Sequence, residues 1–432
     1  MNSWIKPKII NIMPHGPAYD FSPDEKPDVW WDKSDGSWLG FWTREWPDLL
    51  GEAVLKQTDQ YDWEVWQPDY RADKIYSKVL KTGVTHRLFP ARDKSFRSAV
   101  WTRNGIFSEA IIEQLITLQN HPIILELNGT YGIHLPLYSE IIRIFGLTKK
   151  FPILFLGHGM FKAPISEILE LHRPLTYLNL VIEHFRMKKF LRYIDVIFEQ
   201  AESALREVRR VYSGRIEKFT MGCDFDFWIP VSSAEQKELI RTELNIPQEK
   251  TVFLASGNFI SRKQFGKLIE VFNGIKKRDD FFLIIAGHGS ETYTKMLMSL
   301  AAPLIKQKKA MLHPYVRGER LRGLYWASDL YISVATDEGG PVTVMEAMGC
   351  GLPVISTPVG ETAERMKKYS VGAFISIKKC NEWAAAIDSL LNKGLPKSLD
   401  IQIARDAYHW ENVAKRFINI YHDLYKSYFF NL

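Results

Sequence analysis

The sequence contains few cysteines, and their spacing is not that of any paired site. Only three occur in 432 residues, Cys223, Cys350 and Cys380. Zinc knuckles and disulfide frameworks both depend on cysteines at paired spacings. The sequence therefore supports neither of these and favours a reducing, intracellular compartment.

Long hydrophobic runs are also missing. The most apolar run, Pro152–Leu156, is far shorter than the roughly 20 residues that a helix needs to span a bilayer. Met1–Lys8 has no apolar segment of the kind found in signal peptides. We expect a cytoplasmic chain that is soluble or bound peripherally to the cytoplasmic face of the membrane.

The excess of positive charge is small. The net charge is +6 and the pI is near 8.9, which is too weak to indicate nucleic acid and fits an anionic small molecule or membrane surface. Most of the excess lies in Arg186–Lys218, which has nine basic and five acidic residues. This segment is interpreted either as a peripheral contact with anionic lipid or as an ordinary solvated face.

Short apolar runs bounded by glycine or proline alternate with amphipathic stretches along the whole chain. This pattern predicts an α/β fold of parallel sheets covered by helices, with two doubly wound halves. The predicted strands are Lys8–Met13, Trp63–Gln67, Ile123–Leu127, Ile153–Leu156 and Val196–Glu199 in the first half, and Thr251–Ser256, Phe281–Ala286, Leu330–Val334 and Pro353–Ser356 in the second.

A linker between the halves is predicted around Phe225–Ser233, where Pro230 and a serine pair precede a charged helix. We therefore expect an N-terminal Rossmann-like acceptor-binding domain over residues 1–228 and a C-terminal donor-nucleotide-binding domain over residues 229–409. A final helix over residues 410–432 follows the last strand.

The segment from Asp337 to Pro353 reads DEGGPVTVMEAMGCGLP and follows a predicted strand. Gly339 and Gly340 allow a close backbone approach, and Pro341 suits the first position of a helix, where no N–H is needed. A helix that begins after a glycine turn directs unpaired N–H groups and a positive dipole end outward. The segment therefore predicts an anionic ligand, such as a diphosphate.

Two glutamates accompany that helix start. Glu338 precedes the helix and Glu346 lies about two turns further along it. Carboxylates beside a phosphate site are unfavourable unless they accept hydrogen bonds from neutral hydroxyl groups, which sugars and ribose supply in pairs. Two carboxylates beside a phosphate site therefore favour a sugar nucleotide as the ligand. The alternative interpretation is that one glutamate is an ordinary helix-start residue and the other is an ordinary solvated residue.

This segment resembles the retaining family 4 glycosyltransferases of the GT-B fold, whose signature is two glutamates separated by seven residues. The resemblance implies two Rossmann-like domains facing each other across a cleft, with the C-terminal helix returning towards the N-terminal domain. The matching residues are Glu338, Gly339, Glu346, Ala347, Met348, Cys350, Gly351, Pro353, Val354 and Ile355.

The resemblance also implies roles for individual residues. Glu338 would contact the donor sugar hydroxyls, Glu346 the ribose, and the amides near Gly339 and Gly340 the sugar or phosphates. Backbone groups around Tyr315 and Val316 would hold the base. The implied donor-binding residues are Gly257, Asn258, Arg262, Lys263, Gly287, Tyr315, Val316, Glu338, Gly339, Gly340, Pro341, Val342 and Glu346, and the implied catalytic residues are His158, Lys263 and Glu338.

The stretch GNFISRKQ resembles the family's phosphate loop, with Lys263 at the lysine position. Asn258 replaces the usual arginine. A transferase without a metal needs fixed cations to neutralise its leaving diphosphate, so another cation has to substitute. Arg262 is the candidate, and the plainer interpretation of both basic residues is a solvated helix start.

In the first half, His158 lies between two glycines after a predicted strand, and it matches the family's active-site histidine. His15 and Gly16 follow the first strand and would line the acceptor side. Gln200 and Ala201 stand where the family often has a serine. The Asp-x-Asp formed by Asp224 and Asp226 lies in the linker, so we interpret it as hinge structure.

The expected function is transfer of a hexosyl unit from a nucleoside diphosphate sugar to an acceptor hydroxyl, with retention of anomeric configuration. The acceptor is expected to be a glycan or a lipid-linked saccharide, as in polysaccharide biosynthesis. We expect neither a metal nor another cofactor. The alternative is a non-catalytic GT-B scaffold that binds a sugar nucleotide or glycan, which Asn258 and the missing serine motivate. The donor's base and sugar stay open.

Overall fold

The computed structural model describes residues 6–14, 29–41, 45–94, 96–97, 102–103, 105–129, 136–158, 181, 184–185, 187–275, 277–375 and 380–430. The chain divides into two compact units. The first contains residues 1–221 and 410–432, and the second contains residues 222–409.

The first unit is built on an eight-stranded sheet with the strand order β14-β13-β12-β11-β1-β4-β6-β5. All described neighbours in it pair in parallel except β5 and β6, which are antiparallel. The strands of this unit are β1 (Lys8–Ile12), β2 (Val29–Asp32), β3 (Trp38–Phe41), β4 (Asp62–Asp69), β5 (Tyr76–Val79), β6 (Thr85–Pro90), β7 (Arg92–Asp93), β8 (Phe96–Arg97), β9 (Thr102–Arg103), β10 (Ile106–Phe107), β11 (Ile123–Asn128), β12 (Ile153–Leu156), β13 (Val196–Glu199) and β14 (Arg215–Lys218).

The second unit has a six-stranded parallel sheet in the order β17-β16-β15-β18-β19-β20. Because successive strands run in the same direction, their carboxyl ends lie at one edge, where ligands of such sheets bind. The strands are β15 (Thr251–Ser256), β16 (Phe281–Gly287), β17 (Ala310–Pro314), β18 (Leu330–Ser333), β19 (Val354–Ser356) and β20 (Ala373–Phe374).

Helices connect the strands, and several begin at a side-chain cap. Ser108, Ser233, Ser290 and Asp400 each accept a hydrogen bond from a backbone N–H of the following turn. The helices are α1 (Trp46–Gln57), α2 (Glu109–Thr117), α3 (Pro136–Ile141), α4 (Glu202–Arg209), α5 (Ala234–Glu243), α6 (Phe265–Gly274), α7 (Glu291–Lys306), α8 (Gly318–Ala327), α9 (Val342–Gly349), α10 (Gly360–Tyr369), α11 (Cys380–Lys393), α12 (Ile401–Tyr408) and α13 (Trp410–Phe429), with a π-helical turn at Ile142–Gly146.

The central strands are apolar because helices cover both of their faces. All six residues of β11 are buried, and so are all seven of β16. In the second unit the core packs Phe253 of β15 with Leu268 of α6, and it extends to Trp383 of α11.

The C-terminal helix α13 belongs to the first unit, where it packs against α1 and β11. Its Tyr421 contacts the ring of Trp63 and donates a hydrogen bond of 2.6 Å to the buried carboxylate of Glu126. No helix in the described ranges combines the length and the apolar character that crossing a membrane requires.

Candidate functional site

Two glycines bring the exits of β15 and β16 together at the carboxyl edge of the second sheet. Gly257 and Gly287 have φ angles of +137° and +153°. A Cβ atom on Gly287 would lie 1.8 Å from the carbonyl oxygen of Gly257, so this position accepts only glycine. Tyr315 donates its N–H to the Gly287 carbonyl at 2.7 Å, which joins the β17 exit to the same edge.

Two cations converge on one oxygen of Glu338. Lys263 Nζ lies 2.6 Å and an Arg262 guanidinium nitrogen 2.9 Å from Oε1 of this carboxylate. Glu338 is only 6% exposed, so water screens the cluster weakly. The structure therefore brings Arg262, the cation that the sequence offers as a substitute, to the same carboxylate as Lys263.

Backbone contacts fix this convergence. The Thr336 N–H donates to the Arg262 carbonyl at 2.9 Å, and Arg262 donates to the Asp337 carbonyl at 3.0 Å. The loop that follows β15 and the loop that follows β18 are therefore joined by one main-chain hydrogen bond and by one from the Arg262 side chain. Asn258 lies exposed in the first of these loops, just after Gly257.

The loop carrying Glu338 is supported by Gly360, which the sequence analysis missed. A Cβ atom on Gly360 would lie 2.1 Å from the Glu338 carbonyl oxygen, and this glycine has a φ of +53°. The next residue, Glu361, donates its N–H to the Gly339 carbonyl at 2.7 Å. The signal in the sequence is the Pro-Val-Gly turn that directly follows β19.

Helix α9 begins one residue later than the sequence predicts. Pro341 has a φ of −62° but a ψ of +116°, so it is the extended residue before the helix and Val342 is the first helical one. Within the described residues, no group accepts a hydrogen bond from the N–H of Gly340, Val342 or Thr343. These donors satisfy the expectation of a helix start with unpaired N–H groups.

Glu346, the second glutamate of the motif, lies half-buried on α9. Its Oε2 accepts a hydrogen bond of 2.9 Å from the hydroxyl of Tyr325, which in turn lies 2.8 Å from the Ser256 hydroxyl. Burial, followed by the charge of Glu346, raises the pKa of Tyr325 well above its ordinary value, so Tyr325 stays protonated as a donor. Neither Tyr325 nor Ser256 carries a sequence signal that predicts this contact.

His158 lies in the first unit, directly after Gly157 at the exit of β12. Its ring packs edge-on against Trp46, with 5.4 Å between the ring centroids. A Cβ atom on Gly157 would lie 1.8 Å from Oε1 of Glu199, so this glycine lets the buried carboxylate approach the backbone beside His158. His15 and Gly16 lie outside the described residues.

The remaining predicted residues lie around the same turns. Tyr315, with a φ of +61°, and Val316 are half-buried after β17. Asp224 accepts hydrogen bonds from two nearby backbone N–H groups, and Asp226 pairs with Arg405 at 2.6 Å. Among the described residues, no group of three or more histidine, cysteine or acidic side chains could hold a metal ion.

The sequence of the second unit matches a known family. Residues 236–410 match the family described as Glycosyl transferases group 1. An uncharacterised glycosyltransferase of Methanocaldococcus jannaschii is 26% identical over 193 residues, which are 44% of this chain and 49% of that protein. The D-inositol 3-phosphate glycosyltransferase of Mycobacterium marinum is 28% identical over 228 residues, 50% of this chain and 47% of that protein. The chain thus spans about half the length of the curated relatives it matches.

Solved structures are similar to this chain over nearly its whole length. Sucrose-phosphate synthase from Thermosynechococcus elongatus has a TM-score of 0.68 at 16% identity, covering 98% of this chain and 100% of that one. The Anabaena protein HepE in complex with UDP has a TM-score of 0.66 at 13% identity, covering 97% and 100%. The predicted α/β architecture of two Rossmann-like domains is therefore confirmed. The chain has the GT-B fold of glycosyltransferases, and its residues 236–410 are similar to glycosyl transferases group 1.

Proposed function

We propose that this chain transfers a sugar from a nucleoside diphosphate sugar to an acceptor hydroxyl group. The observation that carries the proposal is the cluster at the carboxyl edge of the second sheet. There Lys263 and Arg262 contact the carboxylate of Glu338, and α9 begins four residues after this glutamate with unpaired N–H groups. Cations and N–H donors stabilise a leaving diphosphate, and a carboxylate orients sugar hydroxyls.

In the ligand-free site, Glu338 pairs with both cations, and its single negative charge leaves the cluster with a net positive charge. A diphosphate carries more negative charge than a carboxylate, so it would draw Lys263 and Arg262 towards itself. Glu338 would then accept hydrogen bonds from hydroxyl groups of the donor sugar. In this exchange the cations gain a new anionic partner, and the carboxylate keeps hydrogen bonds to the sugar hydroxyl groups. It also supports Arg262 as the cation that compensates for Asn258.

The nucleoside would lie along α9, with Glu346 receiving the ribose hydroxyls. The Tyr325 hydroxyl donates to Oε2 of Glu346 at 2.9 Å, which holds the carboxylate in one orientation. A carboxylate has about four acceptor positions on its two oxygens, which suits it to a pair of ribose hydroxyls. Backbone groups at Tyr315 and Val316 would hold the base.

The proposal includes retention of anomeric configuration and a hexose as the transferred sugar. It rests on the spacing of Glu338 and Glu346 and on its resemblance to family 4. No protein nucleophile is then required, because a departing diphosphate oxygen takes up the acceptor proton on the same face. His158 would orient the donor sugar. His15 and Gly16 would contribute to the acceptor side.

UDP-glucose is the first donor to test, since an Anabaena structure similar to this chain was determined with UDP-glucose. A thermal-shift comparison of UDP, GDP and ADP identifies the base, because a ligand that binds the folded state raises its apparent stability. UDP release from UDP-glucose then measures turnover, with glycans and lipid-linked saccharides supplied as acceptors. Chemical analysis of the product's anomeric configuration tests retention.

Matched variants connect the activity to the site. Lys263→Met removes a cation that contacts Glu338, whereas Lys267→Met removes an exposed cation from the first turn of α6. We expect at least a 100-fold loss of turnover for the first and none for the second, since one oriented charge contributes about 3 kcal/mol to such a transition state. Tight UDP-sugar binding with no turnover on any acceptor would favour the non-catalytic scaffold instead.

We also propose a peripheral contact of the first unit with anionic lipid, which suits a lipid-linked acceptor. Phe185, Lys188 and Lys189 are exposed on one face of a helical segment, and Arg192 continues the face one turn later. Phe185 is 66% exposed, so its ring is available for an external contact beside these basic residues. Basic residues beside an exposed aromatic ring fit the boundary between lipid headgroups and acyl chains.

Vesicle sedimentation tests this contact. Vesicles that contain phosphatidylglycerol should bind the protein in low salt, and vesicles of pure phosphatidylcholine should not. The double variant Lys188→Glu and Lys189→Glu should abolish binding, while Lys415→Glu on α13 should leave it intact. Binding that is equal for both kinds of vesicle, or unchanged in the double variant, would make the face an ordinary solvated surface.

A further inference from the structure

An apolar cavity of about 350 Å³ lies in the first unit, apart from the site described above. Pro7 and Tyr61 line it, and they directly precede the amino-terminal residues of β1 and β4. The cavity is therefore at the amino-terminal edge of the sheet, whereas His158 follows the carboxyl end of β12. The remaining lining residues are Gln60, His422, Tyr425, Lys426 and Phe430.

Three of the seven lining residues carry phenyl rings, Tyr61, Tyr425 and Phe430. Tyr61 is 1% exposed and Tyr425 is 8% exposed, and Phe430 lies over Tyr425 with 5.4 Å between the ring centroids. Phe430 itself is largely exposed, so it stands at the mouth of the cavity. Aromatic walls favour a flat aromatic guest, because ring edges and faces attract one another beyond the burial of area.

Three polar side chains at the cavity, those of Tyr61, His422 and Lys426, make no hydrogen bond within the described part of the chain. The Tyr61 hydroxyl, although nearly the whole residue is buried, makes no hydrogen bond there. The Lys426 ammonium and the His422 ring make no hydrogen bond or ion pair with described residues. By contrast Lys415, on the same helix, donates to Asn412 at 2.9 Å.

The Tyr61 hydroxyl is a donor under all ordinary conditions. Burial, with a further contribution from Tyr425, raises the pKa of Tyr61 to about 12. The hydroxyl can therefore donate a hydrogen bond to a guest that accepts one. With Lys426 at the rim, a guest with an anionic acceptor can meet both this donor and a positive charge.

We propose that this cavity binds a small aromatic carboxylate, with its ring between Tyr61, Tyr425 and Phe430 and its carboxylate on the Lys426 ammonium and the Tyr61 hydroxyl. The volume is at the lower end of the roughly 300–1,000 Å³ typical of ligand sites, which fits a single-ring compound. Because the cavity and the donor site lie at different sheet edges, this ligand is distinct from the sugar nucleotide.

Calorimetric titration of the full chain with three probes tests the proposal. The probes are 4-phenylbutyrate, its uncharged amide 4-phenylbutyramide, and octanoate, an acid without a ring. The wild-type chain should bind the aromatic acid at least about 10-fold more tightly than the amide, as expected for one charge-assisted hydrogen bond. It should bind octanoate more weakly than the aromatic acid.

Two variants and a control locate the site. Lys426→Met should remove the preference for the acid over the amide, and Tyr61→Phe should weaken binding of both probes. Lys415→Met should change neither affinity. Because Lys426 is exposed, its variant folds whether or not the proposal holds, which circular dichroism verifies.

Three results would overturn the proposal: no binding of the aromatic acid at millimolar concentration, equal affinity for acid and amide, or an unchanged preference in Lys426→Met. Tighter binding of octanoate would replace the aromatic ligand with an acyl one and refute the proposal as stated. UDP release from a sugar nucleotide is measured separately, so failure here leaves the proposed glycosyl transfer intact.

Discussion

The ion pair between Lys263 and Glu338 can be measured by a double-mutant cycle. In Lys263→Met the carboxylate loses a cation at 2.6 Å but keeps Arg262 at 2.9 Å from the same oxygen. Removing one partner of a buried pair typically costs about 3–5 kcal/mol. Because a second cation remains and the Arg262 side chain is 33% exposed, we expect a smaller loss in the free energy of unfolding, about 1–3 kcal/mol.

Glu338→Gln removes the anion of the cluster, whereas Lys263→Met removes one of its two cations. It leaves Lys263 and Arg262 close together without an anion, so the two positive charges repel each other. In the double variant Arg262 is the one charge left in the cluster, so the repulsion between two cations is absent. The cost of the double variant should therefore be smaller than the sum of the single costs by at least about 1 kcal/mol, within the range measured for residues in direct contact.

The measurement is chemical denaturation of the chain and its three variants, followed by tryptophan fluorescence. Trp383 is buried in the core of the second unit and reports its unfolding. Raising the salt concentration should change the coupling little, because the Lys263 and Glu338 side chains are only 13% and 7% exposed. An interaction energy below about 0.5 kcal/mol would refute the view that Lys263 and Glu338 form a buried, coupled ion pair.

Three further predictions follow from the packing. Gly360→Ala introduces a Cβ atom 2.1 Å from the carbonyl oxygen of Glu338. Calorimetry should show that this variant binds the UDP-sugar at least about 10-fold more weakly than the wild-type chain. The control is Gly274→Ala, whose Cβ atom meets nothing within 4 Å and should leave binding unchanged. Gly157→Ala places a Cβ atom 1.8 Å from the Glu199 carboxylate. Steady-state kinetics should show that this variant lowers kcat more than it raises the KM for the donor. A kcat equal to that of the wild-type chain would contradict a role for this turn. Burial raises the pKa of Glu126 to about 7, so the folded state binds more protons than the unfolded state between about pH 4.5 and pH 7. Stability should fall as the pH rises through this window, and Glu126→Gln should flatten the fall in urea titrations at successive pH values.

Much of the fold could be predicted from the sequence because strand and helix patterns are local. The strands Ile153–Leu156, Val196–Glu199 and Thr251–Ser256 occur with the predicted bounds, since each is a short apolar run with clear flanks. The edge strand Arg215–Lys218 was missed because alternating charges hide its strand character. The edge strand Ala310–Pro314 of the second sheet was missed because its half-buried residues give no continuous apolar run.

The candidate site could be predicted only in part. Glu338, Glu346 and Lys263 were found because they lie in motifs with defined spacing. Gly360 and Tyr325 were not, because their importance lies in contacts with residues far away in the sequence. The Tyr325 hydroxyl reaches Glu346 from 21 positions away, and a short motif cannot encode such a contact.

The sequence by itself determined the alternation of strands and helices, the glycine turns and the pattern of two glutamates, since each depends on side chains within a few turns of one another. Only the tertiary structure decided that Arg262 and Lys263 share one oxygen of Glu338, and that Gly360 supports its loop. Arg262 and Asp337 are 75 residues apart, and the order of strands in the sheet brings them within hydrogen-bond distance. Periodicity predicts which face of a strand is buried, whereas sheet order and close packing decide which distant side chains meet.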